Sequence, residues 1–416
     1  MSVLLESLAA GFQGEAPHRA VLEAVLRDGL PGPRTEAWKY TSLRALERRS
    51  FAPALAATPV ADDVLAGIPA PRVVFVNGRH DPTLSNLADL PEAVELLPNS
   101  ASLRQDQLPN AGFERGDAVF ARLNIALADT SLLLRVASGA QITIPIHLVF
   151  IGAATGSDLA WHIQTQIELA QGAQASIVEH HLGVGAHAHL SNALTQVQLA
   201  ADSILTHVRA QLEADTATLF TRTDAVLARN ACYRRIDLEL GAALSRHDLN
   251  VDLQQDDSKL IANGVLFAHG RRHLDTRLGV EHRARGTACE LVWRGLGAGR
   301  GRAVFHGGIH ILAGADSSDA SLSNKNLLLS ESAEIDTQPV LEIYADEVKA
   351  AHGATVGQLD PTALFYLRSR GLKESQASQL LTAAFCRETL AVIEAPDLRA
   401  QLEQTLDHAL WRLDQV

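Results

Sequence analysis

Seventeen histidines and three cysteines set the chemistry open to this chain of 416 residues. His180, His181, His187 and His189 fall in one short segment. On a strand, His187 and His189 share a face, because side chains alternate. Two imidazoles on one face suit zinc or iron, but no third ligand follows at useful spacing. Such histidines are more often packed or solvated than ligating. His306 and His310 in FHGGIH are also an even number apart and read the same way. Asp316, Asp319 and Asp336 are candidates for the carboxylate pair of a glycan-cleaving enzyme. Cys232, Cys289 and Cys386 are far apart and odd in number, which excludes a disulfide framework. They are also too few and too scattered for a four-cysteine iron–sulfur site. Cys289 sits in RGTACELVWRG, where neighbouring arginines would lower a thiol pKa, and is the candidate for handling sulfur. His352 in EVKAAHGATVG has only small or aliphatic neighbours and no evident catalytic partner.

Phosphate chemistry is missing. A Walker A loop needs lysine after glycine, and none of Lys39, Lys259, Lys325, Lys349 and Lys373 follows one. GAGRGR (297–302) reads as a turn. The hydrolase elbow GxSxG and the zinc motif HExxH do not occur.

The elements that must position these residues come in three blocks. Residues 1–130 read as mostly helical. Apolar residues recur at helical spacing over 20–27, with Gly29 as a stop, and further helices are expected at 42–48 and 117–129. An Ala/Pro-rich linker spans 52–71, and VVFV followed by Asn77-Gly78 reads as a strand and turn. From 131 to 357 period-2 alternation dominates, as in ITIPIHLVF, IDLELG and LNVDLQ. Small or acidic turns such as QGAQAS, AADS and GADSS recur roughly every 13–17 residues or twice that. No crossover helices interrupt the pattern, which excludes alternating βα folds and favours a β-solenoid over a sandwich or barrel. Residues 358–416 read as a helical tail: Asp360-Pro361 starts a helix and Gly371 ends it.

A formal net charge of −12 argues against nucleic acid as the main partner, because phosphate neutralisation needs clustered Lys and Arg. An apolar content of 47% suffices for a large core. The absence of a membrane-length apolar run and of a basic leader makes the cytoplasm the expected compartment.

Residues 339–371, PVLEIYADEVKAAHGATVGQLDPTALFYLRSRG, resemble the C-terminal signature of the SufB/SufD scaffold family of iron–sulfur cluster assembly, in the version of its SufD branch. SLSNKNLLLS (321–330) is similar to the rung in which SufB-type members place an essential cysteine; here Asn326 and its neighbours occupy it. RTEAWKYTSL and VVFVNGRHDPTLS extend the resemblance toward the N-terminus.

The resemblance implies a right-handed parallel β-helix between helical ends. It implies a non-catalytic scaffold that pairs with a SufB-like chain through the end of the β-helix and binds a SufC-like ABC-type ATPase. ATP would then sit on that partner. An iron–sulfur cluster would be held transiently and shared with the SufB-like chain, none being tightly bound by the single chain. His352 matches the histidine placed at that interface, and neutral imidazole is a suitable borderline ligand for iron. Some members carry a cysteine two residues earlier, where this chain has Ala350. The helical tail, residues 358–416, is the candidate ATPase-docking region, with Phe365, Tyr366, Leu367, Arg368 and Arg370 in the matched motif as its candidate residues. Alone, the chain is expected to form a homodimer, because end strands need covering. Two enzyme readings stand beside this one: a polysaccharide-active β-helix using Asp316, Asp319 or Asp336, and a cupin-like metal enzyme using His187 and His189. A homodimeric solenoid with a purely structural role is a further alternative.

Overall fold

The computed structural model describes residues 2–12, 14–56, 58–99 and 118–411. Its body is a parallel β-solenoid. One sheet contains Thr130–Val136, Leu159–Leu169, Leu190–Leu199, Thr218–Leu227, Leu244–Leu253, His273–His282, Arg302–Ile311 and Glu334–Ile343 in order. The chain alternates between this sheet and a second one. The second contains Ile146–Ala153, Gln174–Val184, Ile204–Leu212, Cys232–Glu239, Lys259–Ala268, Ala288–Gly297, Asp319–Leu328 and Lys349–Gly357. Each coil sets a residue beside its counterpart in the coil before. The offsets run from 26 positions (Thr218 beside Leu244) to 33 (Thr130 beside Ile163). That matches the doubled turn spacing in the sequence.

The corners explain the small turn residues. At one corner Gly139, Gly172, Asp202, Asn230, Asp257, Gly286 and Ser317 all take positive φ, coil after coil. Glycine, Asn and Asp tolerate that conformation best. The next residue is Ala, Ser or Thr in every case, because stacked corners leave no room for more.

Among the described residues four strands, Ala52–Pro53, Arg72–Val76, Arg79–His80 and Val94–Pro98, precede the expected start of the β body. Arg72–Val76 pairs with Ile146–Ala153, and Val94–Pro98 pairs antiparallel with Thr130–Val136. The N-terminal segment is therefore woven into both sheets. Helices form at Val3–Ala10, Ala16–Asp28 and Val119–Leu127; Asp117 lies outside the described residues. The helix expected at 42–48 is only a 3₁₀ turn, Leu46–Arg48. RTEAWKYTSL clamps onto the first sheet instead. Arg246 donates to the Ala37 carbonyl at 2.7 Å and lies 3.9 Å over the Trp38 ring. The Thr41 hydroxyl meets the Asp275 carboxylate at 2.5 Å.

The tail follows its local signals. The Asp360 carboxylate accepts from the Thr362 N–H at 2.9 Å, Pro361 opens the helix Pro361–Ser369, and Gly371 (φ +96°) follows its end. Helices Glu374–Arg387 and Pro396–Leu410 then cover the outer face of the second sheet. Cys386, Leu390, Leu402 and Leu406 pack there on Val208, Ile236, Leu238 and Val265. The main apolar core fills the space between the two sheets.

Candidate functional site

Lys349–Gly357 is the last strand of the second sheet and, among the described residues, pairs only with Asp319–Leu328. Register fixes where His352 points. It stands beside Leu322, which stands beside Leu291, which stands beside Ala262, and all three belong to the core between the sheets. His352 therefore continues a core-facing row. It is exposed, and among the described residues no further coil covers it. Ala350 and Ala354 flank it on the same face, the first beside Ala320 and the second beside Asn324. Beneath Ala354, the Asn324 Oδ1 accepts from Asn326 and from the Thr337 hydroxyl, each at 2.7 Å. The end of the solenoid thus presents an imidazole among small side chains, backed by an amide cluster. An imidazole so placed can ligate a metal brought to it by another molecule.

The other candidates are engaged elsewhere. The Leu159 N–H donates to His189 Nδ1 at 3.0 Å, so Nε2 carries the proton, which it donates to the Ala153 carbonyl at 2.8 Å. Neither nitrogen of His189 is left for a metal. His187 stacks on it at 4.4 Å and faces Glu213 across 3.4 Å. Among the described residues no group of three or more His, Cys, Asp or Glu side chains could hold a metal ion. His310 meets Glu342 at 3.0 Å, and His306 lies on the same strand beside Arg277 and Gln338. Asp316 pairs with Arg285 and Asp336 with Arg302, while Asp319 begins a strand of the opposite sheet beside Lys349. These carboxylates sit in arginine pairs or on different sheets.

Cys289 departs from expectation. Its thiol is buried and 3.3 Å from His282 Nε2, and His282 Nδ1 is 2.8 Å from the Thr287 hydroxyl. Burial pushes the Cys289 thiol up to about 12 and His282 down to about 4. No arginine offsets this, so the thiol holds its proton at neutral pH. Cys386, on the tail helix Glu374–Arg387, is packed against the second sheet, and burial raises its thiol too.

Phe365, Tyr366, Arg368 and Arg370 are exposed on Pro361–Ser369 and just after it; Leu367 is half-buried. The helix buries no residue. The tail helices, expected as a whole to dock the ATPase, carry a second surface whose residues the sequence did not single out. A groove of about 670 Å³ lies between Glu374–Arg387 and Pro396–Leu410, lined by Leu372, Gln376, Leu380, Ala383, Leu410 and Trp411. Leu380 and Trp411 are 48% and 60% exposed. The only sequence sign is an apolar residue outside each helix's buried stripe.

Sequence reasoning also missed a polar interior in the middle coils. Arg235 Nε reaches both Asp237 oxygens, at 3.0 and 3.1 Å, and Nη2 adds a third bond at 2.7 Å. Arg235 Nη1 donates to His207 Nδ1 at 2.8 Å. His207 Nε2 must then carry the ring proton, which it donates to Glu179 at 2.9 Å. Arg209 pairs with Glu239 alongside. All of these side chains are buried. Burial holds His247 and His147 down at about 4 and His162 and His180 at about 3. His207 and His181 are lowered too, chiefly by burial. Glu179, Asp237 and Glu239 are held low against burial by their cationic and hydrogen-bonding partners.

The sign follows from linkage. A histidine neutral in the fold but basic when unfolded contributes stability above pH 6.5, its ordinary value, and loses it as pH falls toward about 4. The three lowered carboxylates add a further loss below their unfolded values. Asp224 and Asp252, raised by burial, oppose it. We expect the urea midpoint to drop steadily between about pH 7.5 and 4.5. A midpoint flat across that window would contradict the neutral-histidine assignment.

Residues 150–385 match the family model described as SUF system FeS cluster assembly, SufBD core domain. The chain is 33% identical over 387 residues to the iron–sulfur cluster assembly protein SufD of Escherichia coli (strain K12), covering 92% of this chain and 89% of that one. It is 31% identical to an iron–sulfur cluster assembly SufBD family protein of Synechocystis, over 90% of this chain and 86% of that one. A SufBD family protein of Mycobacterium leprae is 30% identical over 68% of this chain and 72% of its own.

Proposed function

Because the chain belongs to the SufB/SufD family of SUF-system iron–sulfur cluster assembly proteins, we propose that it serves there as a non-catalytic scaffold subunit. In this reading its terminal coil abuts that of a SufB-type sister chain. His352 supplies one imidazole to iron at the junction, and thiolates come from the sister. The cluster is cargo, assembled and passed on. A SufC-type ATPase docks on the helical tail and carries the nucleotide chemistry.

The observation that carries this reading is the uncovered end of the solenoid. It presents a core-facing imidazole where the next coil would stand. The tail supports the second half: it offers the exposed aromatic pair Phe365 and Tyr366, and the groove beside Leu380 and Trp411. Apolar grooves between helices are common docking sites for partner proteins. No helix among the described residues is long and apolar enough to cross a membrane.

The test is co-expression with the sister chain and the ATPase, followed by chromatography with light-scattering mass. One copy of this chain, one sister and two ATPases is the expected assembly. Elution of this chain without either partner would remove the proposal. Within the assembly, Leu380→Asp with Trp411→Asp is expected to release the ATPase and leave the sister bound. Full ATPase retention would move the dock to Phe365 and Tyr366, for which Phe365→Asp is the matching probe.

A further inference from the structure

The strand Lys349–Gly357 contains little that would set its own register. Ala350, His352, Ala354 and Val356 stand in the core-facing row, and Ala351, Gly353, Thr355 and Gly357 face away. Apart from the imidazole, both sets are small. Val356 is the one large apolar side chain of the strand, and it is 44% exposed. An earlier strand of the same sheet, Lys259–Ala268, differs: Leu260 and Leu266 fill the core, and Val265 and Phe267 pack under the tail helices. Apolar burial therefore distinguishes the two faces of Lys349–Gly357 weakly, and strands of this kind slip. A slip or bulge of one residue would turn His352 out of its row. Gly353, directly after it, gives the backbone room for a bulge.

Two pins hold this strand. At its start they are corner bonds: the Ser317 N–H donates to the Glu347 carbonyl at 2.6 Å, and the Lys349 N–H to the Ser318 carbonyl at 2.9 Å. Near its far end the pin is a side chain. Asn326 Nδ2 carries two protons. One goes to the Thr355 carbonyl at 2.9 Å and the other to Asn324 Oδ1 at 2.7 Å. The Thr337 hydroxyl, from the first sheet, donates to the same Oδ1 at 2.7 Å. These bonds tie the last strand of the first sheet to the last two strands of the second. Asn324 and Asn326 are 0% and 3% exposed. Gly295 leaves the space they need, since a Cβ there would collide with Asn326 Oδ1. Burying two amides costs desolvation that apolar side chains of the same size would avoid. Fixing a register is the best-attested role of such buried polar groups.

We propose that Asn326 is a positioning residue for His352: backed by Asn324 and Thr337, it locks the second half of Lys349–Gly357 in register and so keeps the imidazole in the core-facing row. This rests on the reading of His352 as an iron ligand. His352 lies between the two pins, so loss of the Asn326 pin leaves it held from one side only.

The test starts on the purified full-length chain, with amide hydrogen exchange resolved by residue. The Lys349 N–H points into the ladder, so those of Ala351, Gly353, Thr355 and Gly357 do as well. Asn326→Leu keeps the side-chain volume and loses both donors. In this variant Thr355 and Gly357 should exchange about tenfold faster, while Lys349 and Ala351 keep their wild-type rates. Thr337→Val should speed the same two amides about threefold, and Thr337→Ser, which restores the hydroxyl, should return them to the wild-type rate. Acceleration spread evenly over the strand, or none at all, overturns the inference. The consequence is read on the assembled complex. Bound iron and sulfide should fall about tenfold in Asn326→Leu, the scale of losing a supporting group. Asn326→Leu combined with His352→Ala should fall no further than His352→Ala alone. Wild-type cluster content in Asn326→Leu, beside a loss in His352→Ala, also overturns the inference. If His352→Ala itself keeps its cluster, the ligand reading fails, and the exchange rates alone decide whether Asn326 holds the register.

Discussion

Arg235→Ala is expected to destabilise the fold by about 3–5 kcal/mol, because it leaves a buried charge without its partner. Arg235 and Asp237 side chains are both 0% exposed, and the guanidinium makes three bonds to that one carboxylate. Its Nη1 also fixes the tautomer of His207, which in turn holds Glu179. Removing the arginine strands Asp237 and frees His207 to present either nitrogen. Lysine does not rescue the site, since an ammonium cannot bridge a carboxylate and an imidazole in this fork geometry. Arg235→Met combined with Asp237→Leu should recover most of the loss, because replacing both ions with apolar groups leaves nothing unpaired. Urea unfolding of the three variants checks this. A loss below about 1 kcal/mol for Arg235→Ala would mean that water reaches the site and that the network is not dry.

The second large effect is functional. On the assembled complex, His352→Ala should lower bound iron and sulfide at least about tenfold, the range seen when a metal site loses a supporting group. The same substitution should leave the urea midpoint of the single chain unchanged, because the side chain is exposed. That contrast separates ligation from structure. His352→Cys places a soft ligand at the position and should retain more iron than alanine does. Wild-type cluster content on the alanine variant would exclude His352 as an essential ligand, and the junction would have to be completed by the sister chain alone.

Much of this molecule is legible in its sequence. Alternation along ITIPIHLVF and LNVDLQ, broken by short turns of small residues, favours a solenoid over a sandwich or barrel. Strands of period two and corners that tolerate positive φ are local properties. The tail is similar: Asp360, Pro361 and Gly371 act within one helical turn. The motif around His352 marks it, and register adds what the motif does not contain, namely that its side chain continues the core-facing row of Leu291 and Leu322.

The polar interior shows where local reading stops. In RRIDLELG the charges Arg235, Asp237 and Glu239 alternate with Ile236, Leu238 and Leu240, and a strand with one wet face would put the apolar set inside. The fold does the reverse. Ile236, Leu238 and Leu240 lie under the C-terminal helices, and the charged set faces the space between the sheets. The sequence by itself determined the strands of the β body, the corners, the tail helices and the family, but not how the N-terminal strands join the sheets or the 3₁₀ turn at Leu46–Arg48. Only the tertiary structure decided which face of each middle strand is inside, which thiol is sealed and which edge is open. Alternation labels two faces without saying what covers either. The cover for Ile236 comes from helices more than 130 residues further along the chain, and no local propensity records that contact.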